Sequence, residues 1–285
     1  MKNLDTLITD IYSQLDGLSQ GVALDINEDD LNLTLSRIKD GILSWSNPSE
    51  RNKNFTLRMS NIGKPARQLW YESRDENNRQ APSAPTQIKF LYGHILEEIA
   101  LMLVRMAGHD VTDEQKNVSV NGISGHMDSK IDGEVVDVKT ASKYAFNKFR
   151  NGTLPQDDPF GYMSQLAGYE AAEGTSAGGF LVINKENGEL CLYRPDDLDK
   201  PNIEPQIDAL KESIKLDTPP ELCYNPIPEG KKGNMKLHKG CNYCPYKHEC
   251  FKDSNNGEGL RAFRYSSGVV YFTEVKAVPS VEEVL

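Results

Sequence analysis

Three features of the chain predict an α/β fold, a mixed central sheet flanked by helices. Two short strands face each other across the turn Asp132-Gly133, a long apolar helix precedes them, and another helix leads into two further strands. The beginning is expected to be helical. Leu4, Leu7, Ile8, Ile11, Leu15 and Leu18 recur at helical spacing, which predicts an amphipathic helix packed on the body or on another subunit. A second helix is expected from Leu31 to Trp45, ended by Asn47-Pro48. Arg58 to Tyr71 reads as a loop opening a short helix, and Gln80 to Pro85, rich in Pro, Ala and Ser, as a boundary or mobile loop.

Thr86 to Ala107 carries the strongest helical pattern. Ile88, Leu91, Ile95, Ile99, Met102 and Met106 form one stripe, and the run stops at Gly108. Leu101 and Val104 make the opposite side apolar as well, so most of this helix should be buried. Glu97 falls on that second side, where a carboxylate is costly to bury unless it is paired or bound to a metal.

Residues 125–131 and 134–139 then read as antiparallel strands joined by a two-residue Asp-Gly loop. That loop sets Ile131 opposite Glu134 and Asp128 opposite Asp137. Like charges directly opposed are destabilising, which calls for something cationic between them. Strand alternation puts Lys139 on the face of Asp137, with Val136 and Val138 turned into a core. Two close carboxylates and a lysine make a site for a hard cation of the kind that activates water for phosphodiester cleavage. Farther on, Pro159 to Glu173 is expected to be a helix with Gln165 and Tyr169 on one face. Gly179 to Asn184 and Glu189 to Tyr193 read as strands joined near Asn187-Gly188, and Arg261 to Tyr265 with Val269 to Glu274 as a last hairpin.

A net charge of −10 over 285 residues excludes nucleic-acid binding driven by overall charge. Local basic stretches remain: Lys139, Lys143, Lys148 and Arg150 follow the hairpin, and Lys231, Lys232, Lys236 and Lys239 precede the cysteines, outlining a DNA path. The start, Met1-Lys2-Asn3-Leu4-Asp5, shows no basic region before an apolar run, and no stretch approaches a membrane span. A cytoplasmic location is expected, the host's cytoplasm if the protein is viral.

Cys241-x2-Cys244-x5-Cys250 is a compact thiol group of a kind that, in that compartment, binds metal more often than it forms disulfides. Cys223 is the chosen fourth ligand, with His238 and His248 in reserve. Tetrahedral thiolate suits Zn²⁺ or an iron-sulfur cluster. Cys191, in a strand pattern, reads as core.

Together these residues resemble the PD-(D/E)XK nuclease superfamily, and within it the RecB-like, CRISPR-associated and phage exonucleases that end in a cysteine cluster. The resemblance covers Arg58 to Cys250. Asp128 matches the family's metal-binding Asp, Asp137-Val138-Lys139 its (D/E)xK, Gly93 and Glu97 its upstream helix, Gln165 and Tyr169 its QxxxY helix, and Cys241, Cys244 and Cys250 its cysteines. It implies a restriction-endonuclease-like core and a DNA exonuclease acting in recombination, repair or degradation of phage or bacterial DNA. A structure-specific endonuclease and a silent DNA-end-binding module are the alternatives. Glu97, Asp128, Asp137 and the Val138 carbonyl would hold Mg²⁺ or Mn²⁺, Lys139 would orient water, and Gln165 and Tyr169 would contact DNA or position the site. Relatives with a [4Fe-4S] cluster place their first cysteine near Pro65, so the fourth ligand must come from elsewhere here and Zn²⁺ rivals the cluster. The implied division is a helical region (1–57), a nuclease core (58–222), a cysteine segment (223–255) and a hairpin with tail (256–285). A homo-oligomer is open, as is a phage or host recombination protein as partner.

Overall fold

The computed structural model describes residues 2–47, 55–75 and 83–284. Its helices include α1 (Leu7–Ser19), α2 (Glu28–Ser46), α3 (Ala66–Arg74), α4 (Ala84–Met106), α5 (Lys143–Arg150), α6 (Tyr162–Glu173), α7 (Ile203–Lys215) and α8 (Lys247–Cys250). Its strands are β1 (Val111–Thr112), β2 (Lys116–Val120), β3 (Ile123–Met127), β4 (Ser129–Ile131), β5 (Glu134–Ala141), β6 (Gly179–Asn184), β7 (Leu190–Tyr193), β8 (Ile227–Glu229), β9 (Asn234–Lys236), β10 (Arg261–Tyr265) and β11 (Gly268–Glu274). Pro48 and residues 80–82, which carried the expected helix stop and part of the expected loop, lie outside the described residues.

The backbone divides into two compact units. One comprises Met1–Gly63 and Ala81–Ala209, the other Lys64–Gln80 and Leu210–Leu285. The residues carrying α3 thus belong with the C-terminal part of the chain. Sequence distance hides this, because α3 is fastened by long-range bonds: Trp70 Nε1 donates to the Leu216 carbonyl at 2.7 Å, and Arg74 donates to those of Ile214 and Leu216.

In the first unit a five-stranded sheet runs β1-β4-β5-β6-β7, antiparallel except for the parallel pair β5 and β6. Asp132 and Gly133 take φ of 51° and 86°, the left-handed pair that a two-residue loop requires. Ile131 accordingly pairs with Glu134 and Ser129 with Val136. The strand expected over 125–131 is, however, broken at Asp128. β3 pairs with β2 in a separate two-stranded sheet, whereas β4 pairs with β5. Asp128 lies where the chain changes sheets, and its carbonyl accepts from the Gln115 N–H.

The face of α4 that meets the sheet is also not the one its longest stripe suggested. Ala100, Leu101 and Val104 are buried against Ile131, Val136, Val138, Leu181 and Ile183, while Ile88 is 48% exposed. A helix with two apolar stripes offers two solutions, and periodicity alone cannot choose between them. Leu4, Leu7 and Ile11 at the start of the chain join the same core, so the first helix packs on the body, with Tyr12 hydroxyl accepting from the Leu190 N–H at 2.6 Å. A buried His109 lies 2.6 Å from Asp132 and 3.1 Å from Asp10, tying α1 to the hairpin turn.

Residues 58–63 form a loop held by close backbone approaches. A Cβ on Gly125 of β3 would overlap Met59, one on Gly168 of α6 would meet Met59 Sδ at 2.6 Å, and Gly63 and Gly161 cross with their backbones in contact. These glycines allow the loop to lie directly on β3 and on the start of α6.

The second unit has an antiparallel sheet ordered β10-β11-β9-β8 and a small core of Leu237, Cys241, Phe251 and Leu260. Among the described residues no helix is long and apolar enough to cross a membrane.

Candidate active site

The chain change at Asp128, the middle of β5 and one face of α4 bring the candidate residues together. Asp137 is fully buried, 0% exposed. Lys139, two residues along the same face of β5, reaches it with Nζ 2.5 Å from Oδ2. Asp128 accepts from the Val138 N–H at 2.8 Å, so its carboxylate spans the gap where the strand pairing of β4 and β5 ends. Glu97 arrives from α4, held by the Gln115 side-chain amide at 2.9 Å.

Electrostatics show how closely the acids crowd. Burial, then Asp128, Glu98 and Asp137, push the Glu97 carboxyl up to about 9, against the opposing pull of Lys139. Burial and Asp137 push Asp128 up to about 7, again opposed by Lys139. Burial alone would lower the Lys139 ammonium, but Asp137 and Asp128 overcome it and raise it. A lysine raised in this way stays charged and is no proton acceptor. Among the described residues neither oxygen of Asp137 has a hydrogen bond of good geometry, and Oδ2 lies in the ion pair with Lys139. A buried carboxylate so placed, with two more nearby, suits a divalent cation. Among the described residues, no three His, Cys, Asp or Glu side chains already stand at ligand spacing.

Gln165 and Tyr169 lie below this cluster. Tyr169 is 2% exposed, takes a hydrogen bond from Gln165 Nε2 at 3.0 Å and donates its own to the His126 carbonyl at 2.7 Å. That bond holds the end of β3 two residues before Asp128. Tyr162 was not anticipated: its ring lies under Lys139, with Nζ 5.2 Å from the centroid. Gln115 was missed as well, since nothing in its local pattern marks an amide aimed at Glu97. Gly93 is not required by packing, for a Cβ there would meet no atom within 4 Å.

No family model and no curated protein matches the sequence. Among solved structures the chain is similar to an alkaline exonuclease (LHK-Exo) from Laribacter hongkongensis, 14% identical, over 61% of this chain and 92% of that one, with a TM-score of 0.42. The complex of LHK-Exo with dAMP gives 14% identity, 56% and 87% coverage and a TM-score of 0.37. A third, SSO0001, is 16% identical over 75% and 94%, with a TM-score of 0.39. These superpositions are too loose to place single residues, and the chemistry of the site rests on its own geometry.

In the second unit Cys223, Cys241, Cys244 and Cys250 line one cavity of about 30 Å³. Burial, followed by the other three thiols, pushes Cys241 up to about 12; burial also raises Cys223 and Cys244. Arg67 from α3 donates to Cys250 Sγ at 3.1 Å. The two histidines held in reserve are engaged elsewhere: His238 stacks on Tyr224 and accepts from the Gly240 N–H, and His248 meets Tyr271 edge-on. Cys191 is buried in β7, its thiol pushed up to about 12 by burial.

Proposed function

We propose that the chain is a divalent-metal-dependent deoxyribonuclease that hydrolyses phosphodiester bonds from DNA ends. The observation that carries this reading is the grouping of Glu97, Asp128 and Asp137 around the cation of Lys139. Asp128, Asp137, Glu97 and the Val138 carbonyl would hold Mg²⁺ or Mn²⁺. When bound, such a cation neutralises phosphoryl charge and lowers the pKa of water. Lys139, kept protonated by Asp137 and Asp128, orients the attacking water by hydrogen bonding and stabilises the negative charge that builds on the phosphoryl oxygens. Tyr162 restricts the Lys139 ammonium from below. Tyr169 is a positioning residue, acting through the His126 carbonyl on the strand that carries Asp128.

Digestion of end-labelled linear and circular DNA, with Mg²⁺ or EDTA, tests the reading. Loss of linear DNA alone, abolished by Asp128→Ala and by Lys139→Ala, is expected. Cutting of circles would make the enzyme an endonuclease, and no cleavage of any substrate would leave a DNA-end-binding module. Mg²⁺ affinity, and with it cleavage at limiting Mg²⁺, should rise with pH, because Asp128 and Glu97, pushed up to about 7 and about 9 in the metal-free protein, must lose protons to bind a cation. The metal-free fold should respond in the opposite sense. Both carboxyls hold protons that the unfolded chain has released above ~4, so their own contribution to stability is full below ~4 and is lost as pH rises from there through their folded values, opposite to that of Asp10, Glu173 and Glu283, whose partners hold them down. Thermal unfolding in EDTA at a series of pH values reads this directly.

Tyr169→Phe is expected to reduce cleavage by roughly 10- to 100-fold, the usual range for a supporting residue behind a metal ligand. Its effect should fall on Mg²⁺ affinity, so part of the activity should return at high Mg²⁺. Loss that no Mg²⁺ concentration relieves would point to a role at the DNA instead.

The four thiols of the second unit are proposed to hold Zn²⁺ or a [4Fe-4S] cluster with a structural role. Their shared cavity supports this, and metal binding would reverse the upward push on the thiols. Metal analysis and visible absorption of protein purified without oxygen should find one zinc, or a cluster band, lost in Cys241→Ser. Folded, metal-free and fully active Cys241→Ser/Cys244→Ser protein would refute it.

A further inference from the structure

A second cavity, of about 380 Å³, opens in the first unit beside Lys139. Lys139 and Tyr162 form part of its wall, so it is continuous with the candidate active site. The rest of the lining includes exposed aromatic rings from Phe90 and Phe160 and ammonium groups from Lys89 and Lys185. Phe90 is 46% and Phe160 57% exposed, although exposing ring faces to water is unfavourable. Lys89 and Lys185 are exposed and form no ion pair with any described residue.

The acids at the same cavity are already engaged. Asp157 pairs with Lys148 at 2.9 Å and accepts from the Tyr144 hydroxyl. Asp158 accepts from the N–H groups of Gly161 and Met163 at the start of α6. The lining sets the cations of Lys89, Lys139, Lys148 and Lys185 against Asp157 and Asp158, so its net charge is positive. The volume falls within the ~300–1,000 Å³ of small-ligand pockets. Rings for an aromatic face, cations for a phosphate and a wall shared with the cleavage site together describe a receptor for one nucleotide.

We propose that this cavity receives the unpaired terminal nucleotide of a DNA strand, its base against Phe160 and Phe90 and its phosphate on Lys89 and Lys185, and so presents the next phosphodiester to Lys139. This rests on the deoxyribonuclease reading and makes its substrate a frayed or single-stranded end, because a paired base could not enter. Base stacking on protein rings is tolerant of sequence, so no base preference is expected.

Binding measured in EDTA, where no hydrolysis can occur, tests the pocket apart from the chemistry. The probe is a fluorescent single-stranded hexanucleotide, compared with the same strand carrying an abasic terminal residue. Wild type should bind the intact end about tenfold more tightly, the scale of one base-aromatic stack. Phe160→Ala should erase that preference and Phe160→Tyr retain it, while Lys185→Ala should weaken both probes alike. Equal binding of the two probes by wild type, or a preference that survives Phe160→Ala, overturns the proposal. The two readings fail separately: cleavage in Mg²⁺ without terminal preference removes the pocket alone, and preference without cleavage removes the enzyme and leaves the pocket.

Discussion

Asp137→Asn is expected to lower DNA cleavage by roughly a thousandfold or more, the loss of several kcal/mol of charge stabilisation that a bound cation supplies. The substitution keeps the shape of the side chain, so the fold should survive. It removes the negative charge at the candidate ligand that has no exposure to water and whose oxygens, among the described residues, have no hydrogen bond of good geometry. It also removes the group that most raises the Lys139 ammonium against the cost of its burial. A second readout separates this from general damage. Wild-type protein should gain thermal stability on adding Mg²⁺, by linkage of binding to folding, and Asp137→Asn should gain little. A variant that still cleaves, or that keeps the full Mg²⁺-dependent shift, would show that the cation is held elsewhere.

Gly161→Ala should be the most destabilising substitution of a single methyl group near the site. Its Cβ would stand 2.5 Å from the carbonyl carbon of Gly63, with the Gly63 Cα closer still, and neither is a side chain that can rotate away. Gly161 also has φ of 75°, a left-handed conformation that costs an alanine ~1–2 kcal/mol. Adding ~1–3 kcal/mol for overpacking gives a loss of about 3 kcal/mol, measurable as a fall in the urea midpoint at unchanged slope. Gly63→Ala makes the reciprocal clash without a positive φ, so it should cost less. The double variant should cost less than the sum, because backbones already forced apart admit the second methyl group. Cleavage should fall in both, since Gly161 precedes Tyr162, whose ring lies under Lys139. Full stability in Gly161→Ala would mean that the loop over 58–63 does not rest on α6.

Much of the first unit was legible because its decisive signals are local. Asp132-Gly133 sets a two-residue loop, and the loop sets the partner of every residue beside it, hence Ile131 opposite Glu134. Gly179 to Asn184 was legible as a buried strand from its apolar run, and Asn187-Gly188 as the turn after it. The chemistry-bearing types, Asp128, Asp137, Lys139 and Glu97, could be picked out because acids beside buried apolar residues are costly without a purpose. Asp128 was nonetheless read as the middle of a continuous strand, although it lies at the break between two sheets.

Composition and spacing determined by themselves the α/β class, the hairpin and the register beside its turn, and they marked the candidate side chains. Each follows from the stereochemistry of neighbours in the chain, which a turn or a periodic pattern encodes directly. Tertiary structure decided which stripe of α4 faces the sheet, that the residues of α3 belong with residues 210–285, that Gln115 holds Glu97, and that Tyr169 holds β3 from beneath. It also brought Phe90 and Phe160, some seventy residues apart, to the wall of one cavity. Those outcomes depend on contacts between segments distant in sequence, where several packings satisfy the same local pattern and only the close fit of the whole interior selects one.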